Sequence, residues 1–132
     1  MTRLNLGTMS LEELVDRFRD AAFGLADEVG SPKQYRKFFD RLNSITEELR
    51  RRGPDARRAL LPLLECPESG PMWLRRERAA ECRYQAAFEL LAVEPARARE
   101  TLAALANGWV DYQRAEARGT LKALEDGSFK PT

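Results

Sequence analysis

The sequence contains no histidine, only two cysteines and no long apolar run. Without histidine, the chain lacks the commonest general base, a Ser-His-Asp triad and the usual nitrogen ligand of zinc or iron. Cys66 and Cys82 are too far apart in sequence to form a CxxC motif, and we expect both thiols to be reduced. We therefore predict a protein that is not an enzyme and holds neither a cofactor nor a metal.

Membrane and secretion signals are also missing from the sequence. No apolar segment approaches the ~20 residues that a membrane-spanning helix needs. Residues 1–10 lack the apolar region of a signal peptide. We predict a cytoplasmic protein that makes no contact with a membrane.

The charge is balanced overall but unevenly distributed. Lys and Arg total 22 against 21 Asp and Glu, which excludes a whole-chain field that attracts nucleic acid. Residues 50–83, however, carry nine basic groups, all of them Arg, against five acidic groups. This segment is the most prominent charge feature of the chain.

Apolar residues recur at helical spacing along the chain, and no segment alternates as a strand would. Ser10 with Glu13 forms a capping box at the first helix. Caps, glycines and prolines predict six helices, over 11–29, 32–52, 54–64, 73–93, 95–106 and 110–125. Pro62 should shorten or bend the third helix, and Gly119 in the sixth suggests a close helix contact.

The connections between these helices are short, which favours antiparallel neighbours. The prediction is therefore an all-α domain over residues 10–127, with six helices in three antiparallel hairpins. A compact helical bundle is the alternative to a repeat-like superhelix. Residues 1–9 are predicted to form a flexible N-terminal leader, and residues 128–132 a C-terminal tail.

Two segments resemble a HEAT repeat. The run 59–64, Ala-Leu-Leu-Pro-Leu-Leu, followed by Pro67, is similar to the first helix and turn of that repeat. Cys82-Arg83, the alanine pair 86–87 and the leucine pair 90–91 are similar to its second helix. Residues 68–81 form an extra stretch where a HEAT turn has only a few residues. The resemblance implies a HEAT-like α-α superhelix.

The ordered set of segments over residues 10–127 also resembles a small bacterial HEAT/armadillo-like family of unknown function. The segments that carry this likeness are Glu-Leu-Arg-Arg-Arg-Gly at 48–53, the Leu-Pro-Leu-Leu run, the Ala-Ala…Leu-Leu helix with Pro95, and Leu121…Leu124…Gly127. This resemblance implies a fold but no activity.

The Arg-rich segment supplies most of the candidate binding residues. They are Arg50, Arg51, Arg52, Arg57, Arg58, Arg75, Arg76, Arg78 and Arg83. If the fourth helix packs beside the second and third, these side chains form one patch for an acidic protein face or for nucleic-acid phosphates. The plainer interpretation, which we favour, is a solvated rim paired with Glu47, Glu48, Glu77 and Glu81.

Met72 and Trp73, next to a Pro-Gly loop, complete the set of candidate residues. They are either a plug on the core, which we favour, or an exposed binding hot spot. Trp109 is predicted to plug the last hairpin, with Asp111 capping its helix. A glycosylase-like site formed by Trp109, Asp111 and Tyr112 is the weaker interpretation of that cluster.

The function predicted from these features is a non-catalytic protein-protein interaction module, of which an immunity or antitoxin-type protein that occludes its partner is one concrete form. Another protein with an acidic face is the expected partner. The alternative is a nucleic-acid-binding protein that uses the Arg50–Arg83 cluster. Its oligomeric state does not follow from the sequence.

Overall fold

The computed structural model describes residues 5–132, and within this range the chain is helical without strands. The α-helices are α1 (Leu11–Asp27), α2 (Pro32–Arg52), α3 (Pro54–Arg58), α4 (Arg75–Leu90), α5 (Pro95–Ala106) and α6 (Asp111–Asp126). Two 3-10 helices, Leu6–Thr8 and Leu61–Glu65, complete the fold. The predicted all-α class with six α-helices is confirmed.

Local signals set most helix ends where the sequence predicted them. The Ser10 hydroxyl accepts a hydrogen bond from the Glu13 amide at 3.1 Å, which is the N-cap half of a capping box, and it also donates to the Glu13 carboxylate. Gly53 has a φ of 106°, which lets the chain leave α2 and enter α3 at Pro54 without a connecting loop. Ser10 therefore sets the beginning of α1, and Gly53 sets the end of α2.

The predicted third and fourth helices are both shorter in the structure. The third ends at Arg58, and the chain continues as the 3-10 helix Leu61–Glu65 with Pro62 in its first turn. Proline has no backbone N–H, and its ring would clash with the preceding turn of an α-helix, so the α-helix cannot continue through it. The fourth begins at Arg75, because residues 71–74 form a turn in which Leu74 N donates to Pro71 O.

Helix α4 lies at the centre of the molecule. It packs against α1, α5, α6 and the 3-10 helix Leu61–Glu65, while α1 with α2 and α5 with α6 form hairpins. Fully buried side chains from all these layers meet around it, among them Phe18, Leu49, Leu60, Leu90 and Leu102. The two apolar sides predicted for the fourth helix are explained by this central position.

The close helix contact occurs at Gly24 rather than at Gly119. A Cβ added at Gly24 would lie 2.3 Å from the Phe38 ring, so only glycine lets α1 and α2 approach here. No described atom lies within 4 Å of a Cβ added at Gly119. The prediction for Gly119 is therefore wrong.

The chain ends differ from the predicted leader and tail. Residues 1–4 of the predicted leader lie outside the described residues, but Leu6–Thr8 packs on α2. In the predicted tail, the Phe129 ring stacks on Phe88 with centroids 5.1 Å apart, and Phe129 N donates to Ala123 O. Both segments extend the core. Among the described helices, none combines the length and apolar character needed to cross a bilayer.

Candidate functional site

The arginines of the predicted patch do not come together on one face. Arg50 and Arg57 contact Glu89 near the end of α4, at 2.7 and 3.2 Å. Arg78 makes two hydrogen bonds to Asp27 near the beginning of α4, at 2.7 and 2.8 Å. Eleven residues of helix, about 16 Å, separate these two positions. The arginines of α4 therefore do not join those of α2 and α3 in one patch.

Arg51 and Arg52 bind a carboxylate on their own helix. Both donate to Glu48, and these hydrogen bonds lower the pKa of Glu48 to about 2. Arg52 also donates to the carbonyl oxygens of Leu6 and Met9, at 2.9 and 2.7 Å, and thereby holds the N-terminal segment on α2. The predicted pairing with Glu48 is confirmed.

Most of the remaining arginines also have internal acceptors. Arg57 is only 8% exposed and donates to the carbonyls of Glu89 and Thr132. Arg58 contacts Asp55 and Glu94, Arg83 donates to the Cys66 carbonyl at 2.9 Å, and Arg75 lies 3.7 Å from Glu68. Arg76 is the only member of the predicted set without a hydrogen bond or ion pair among the described residues. The Arg-rich segment therefore contributes mainly to internal structure.

The apolar candidates, in contrast, are exposed. Met72 is 75%, Trp73 77% and Trp109 90% exposed. The favoured interpretation of Met72, Trp73 and Trp109 as plugs is therefore wrong. Trp73 precedes the first turn of α4, and Ala79 and Ala80 are the first buried positions of that helix. Val110 takes the N-cap position of α6, so Asp111 is not the cap but the first helical residue, paired with Arg114 at 2.7 Å.

These exposed side chains share one end of the molecule. Helix α5 returns antiparallel to α4, so the α5–α6 connection with Trp109 lies near the beginning of α4, where Arg76 and Trp109 line the same two hollows. We call this surface the tryptophan end. It consists of Met72, Trp73, Arg75, Arg76 and Trp109.

A groove extends from the tryptophan end along α4 and α5. Its volume is about 580 Å³, and Leu64, Leu105 and Trp109 give it apolar walls. Charges of both signs line it, with Arg76 and Arg83 among the cations and Glu68 and Glu100 among the carboxylates. An apolar side chain flanked by polar groups would fit such a groove.

Both cysteines lie inside the core. Cys82 is fully buried on α4, as predicted, and Cys66, predicted to lie in a turn, is 2% exposed. The neighbouring Cys82 thiol, with a smaller effect of the Arg83 charge, lowers the pKa of Cys66. The Cys66 thiol and burial raise the pKa of Cys82. Both side chains fill space between α4 and the 3-10 helix Leu61–Glu65.

The family model for a domain of unknown function, DUF2019, matches residues 12–125. The chain belongs to the DUF2019 family. A solved structure that is similar over 98% of this chain and 100% of its own length is the protein RPA1889 from Rhodopseudomonas palustris CGA009, with a TM-score of 0.82 and 31% identity. Comparison with curated proteins gives no match.

These comparisons confirm the predicted membership in a helical family of unknown function, with a bacterial relative of the same fold. Neither comparison identifies HEAT or armadillo repeats, so a HEAT-like superhelix stays a prediction. The exposure of Trp109 was missed by sequence reasoning. The Asn107-Gly108 turn before it is the signal that could have indicated an exposed position.

Proposed function

We propose that this DUF2019 protein is a non-catalytic protein-binding module, and that its partner docks on the tryptophan end. The observation that carries the proposal is the exposure of Trp73 and Trp109 at the same end of the molecule. Tryptophan and arginine are the residues that most often dominate the energetics of protein interfaces. Two exposed tryptophans beside Arg76 therefore make this surface the best candidate interface.

The chemistry of the tryptophan end defines the partner. The tryptophans and Met72 require apolar surface or pockets on the other protein, because burying a large apolar side chain contributes about 1.5–3 kcal/mol. Arg76, which has no acceptor among the described residues, favours a carboxylate opposite it. The expected partner is thus a protein with an acidic face around an apolar centre.

One concrete form of this function is an immunity or antitoxin-type protein that inhibits its partner by occlusion. A domain of this size can cover a partner's active surface without chemistry of its own. We propose the cytoplasm as the setting, because two unpaired thiols suit a reducing compartment.

Nucleic-acid binding through the Arg50–Arg83 cluster has less support. Phosphate binding needs basic side chains that are free to replace counterions. Arg50, Arg52, Arg57 and Arg78 hold internal acceptors at 2.7–2.9 Å, and releasing any of them would break the contacts that join helices.

The test is affinity capture from a native lysate with three tagged proteins, each with and without nuclease. They are the wild type, the double variant Trp73→Ala/Trp109→Ala, and a control, Arg51→Ala/Arg58→Ala, which removes two exposed charges elsewhere. A stoichiometric protein should bind the wild type and the control in nuclease-treated lysate. The tryptophan variant should bind it at least ~30-fold more weakly, since hot-spot residues contribute 2 kcal/mol or more.

Two results would contradict the proposal. If the arginine variant loses the partner and the tryptophan variant keeps it, the interface lies elsewhere. If nuclease abolishes all association, nucleic-acid binding becomes the better account.

A further inference from the structure

A second concave site lies between α2, α4 and α6, and the Arg50–Glu89 ion pair forms part of its wall. Its cavity has a volume of about 240 Å³. Aromatic side chains from all three helices line it, namely Tyr35, Phe39, Tyr84, Phe88 and Tyr112. We call it the aromatic cleft. Three further hollows adjoin it and share Tyr112.

The side chains of α2 and α6 meet across this cleft rather than packing into a closed core. Tyr35 from α2 interacts with Tyr112 from α6, and this interaction with burial raises the pKa of Tyr112. Phe39 is 40% exposed although it belongs to the apolar stripe of α2. The structure thus leaves aromatic surface available to a ligand.

A buried carboxylate, Glu81, lines the aromatic cleft and is only 1% exposed. It accepts hydrogen bonds from the side-chain amides of Gln85 and Gln113, at 3.0 and 3.3 Å. None of the described Lys or Arg side chains forms an ion pair with it. Leaving a buried carboxylate without a cation costs several kcal/mol, and burial accordingly raises the pKa of Glu81 to about 7.

Two acceptors lie near Glu81, of which Glu116 lines the aromatic cleft and Gln113 does not. The Gln113 side-chain oxygen is buried and has no hydrogen-bond partner among the described residues. Glu116 lines the aromatic cleft beside Tyr112 and contributes a second negative charge near Glu81. Arg50 also lines the aromatic cleft, but it binds Glu89 at 2.7 Å and forms no ion pair with Glu81 among the described residues.

We propose that the aromatic cleft binds a protonated amine carried on an apolar group. The ammonium would face Glu81 and Glu116, and the apolar part would lie among Tyr35, Phe39 and Tyr112. Carboxylates attract the cation, and the aromatic faces add a cation–π attraction. Three clustered acidic or sulfur ligands, which a metal ion would need, are absent from the described residues.

A free small amine and a lysine side chain of another protein present the same chemistry. The test therefore uses two probes, benzylammonium and N-acetyl-lysine methylamide, with benzyl alcohol as the neutral match. Binding to the full chain is followed by NMR shifts of the Tyr35 and Tyr112 ring signals. Glu81→Gln removes the charge with little change of shape, and Glu12→Gln in the exposed first turn of α1 is the matched control.

We expect at least one amine to shift both tyrosine signals, with affinity reduced tenfold or more in Glu81→Gln and unchanged in Glu12→Gln. Tighter binding of benzylammonium would assign the cleft to small amines, and tighter binding of the lysine probe would assign it to a lysine side chain. Equal binding of benzyl alcohol, equal binding to Glu81→Gln, or no shift with either amine would overturn the proposal. If Glu81→Gln does not fold, Phe39→Ala decides: unchanged affinity overturns the proposal, and a tenfold loss supports it.

Discussion

The two ends of α4 differ in which side chains are buried and which are exposed. At its C-terminal end, Glu89 is 3% exposed and holds Arg50 and Arg57, and Arg57 reaches the Thr132 carbonyl. At its N-terminal end, Met72 and Trp73 lie in solvent, with Trp109 close to Arg76. Charge is therefore internal at one end, and large apolar surface is external at the other.

The comparison shows why residue type alone does not tell whether such side chains are internal or exposed. A run of arginines suggests a binding surface, yet a guanidinium also suits bidentate contacts between elements of one fold. A tryptophan suggests a core position, yet here smaller residues already fill the core beside it. Ion pairs of the arginines join α2, α3 and α4 at one end of α4. At the other end, Trp73 and Trp109 are exposed because the core beside them is already filled.

The largest effect on stability should follow from breaking the ion pairs that Glu89 forms with Arg50 and Arg57. Glu89→Gln leaves the buried Arg57 guanidinium without its carboxylate, so we expect a loss of about 3–5 kcal/mol in the free energy of unfolding. Glu94→Gln, which breaks the more exposed contact with Arg58, should cost at most about 1 kcal/mol. Urea unfolding of both variants checks this, and similar values for the two would show that burial does not distinguish these pairs.

Glu81, which lies between the two ends of α4, should make the stability of the protein depend on pH. Its pKa is raised from 4.5 to about 7 in the folded state, so the folded protein binds the extra proton between these values. Stability should therefore fall as the pH rises from about 4.5 to 7, by about 3 kcal/mol. The groups that face Glu81 are Tyr35 on α2, Gln85 on α4, and Gln113 and Glu116 on α6.

The measurement is the free energy of unfolding against pH for the wild type and Glu81→Gln. The variant should lose this slope. Glu48, whose pKa is lowered, acts on stability only below about pH 4.5 and does not obscure the window. An unchanged slope in Glu81→Gln would show that another group titrates there.

The two glycines offer a smaller and oppositely signed test of packing. Gly24→Ala would force a Cβ into the Phe38 ring, and overpacking of this kind costs about 1–3 kcal/mol. Gly119→Ala meets open space among the described atoms and should stabilise α6 by up to about 1 kcal/mol. Thermal unfolding of both variants separates them, and a destabilised Gly119→Ala protein would contradict the open space found beside Gly119.

The smallest effect on stability should come from the tryptophan end. Trp109 is 90% exposed, so Trp109→Ala should change the free energy of unfolding by no more than about 0.5 kcal/mol. Urea unfolding provides the measurement. A loss of several kcal/mol would mean that Trp109 acts as the core plug that the sequence suggested.

The helices themselves could be predicted from the sequence because their signals are local. The Ser10 capping box, Pro54 and Pro95 act within one turn of the chain, and the structure places helix ends there. Ion pairs across 39 or 51 residues, such as Arg50 with Glu89 and Arg78 with Asp27, depend on how helices pack and leave no local pattern.

The candidate site was only partly predictable for the same reason. Met72 and Trp73 were named, but their exposure depends on which residues fill the space beneath them. The aromatic cleft was missed, since Tyr35 and Phe39 fit a core stripe and Glu81 was expected to pair with arginine. The width of the α2 stripe was the available signal, because one helix face cannot bury Tyr35, Phe38, Phe39 and Leu42 equally.

The most direct test of the central claim is photo-crosslinking in native cells. A benzophenone side chain is placed at position 109, 73 or 51 in separate variants, and crosslinked products are identified after nuclease treatment. Our account predicts one protein crosslinked from positions 109 and 73 and none from position 51. Crosslinks from position 51 alone, to protein or to nucleic acid, would contradict it.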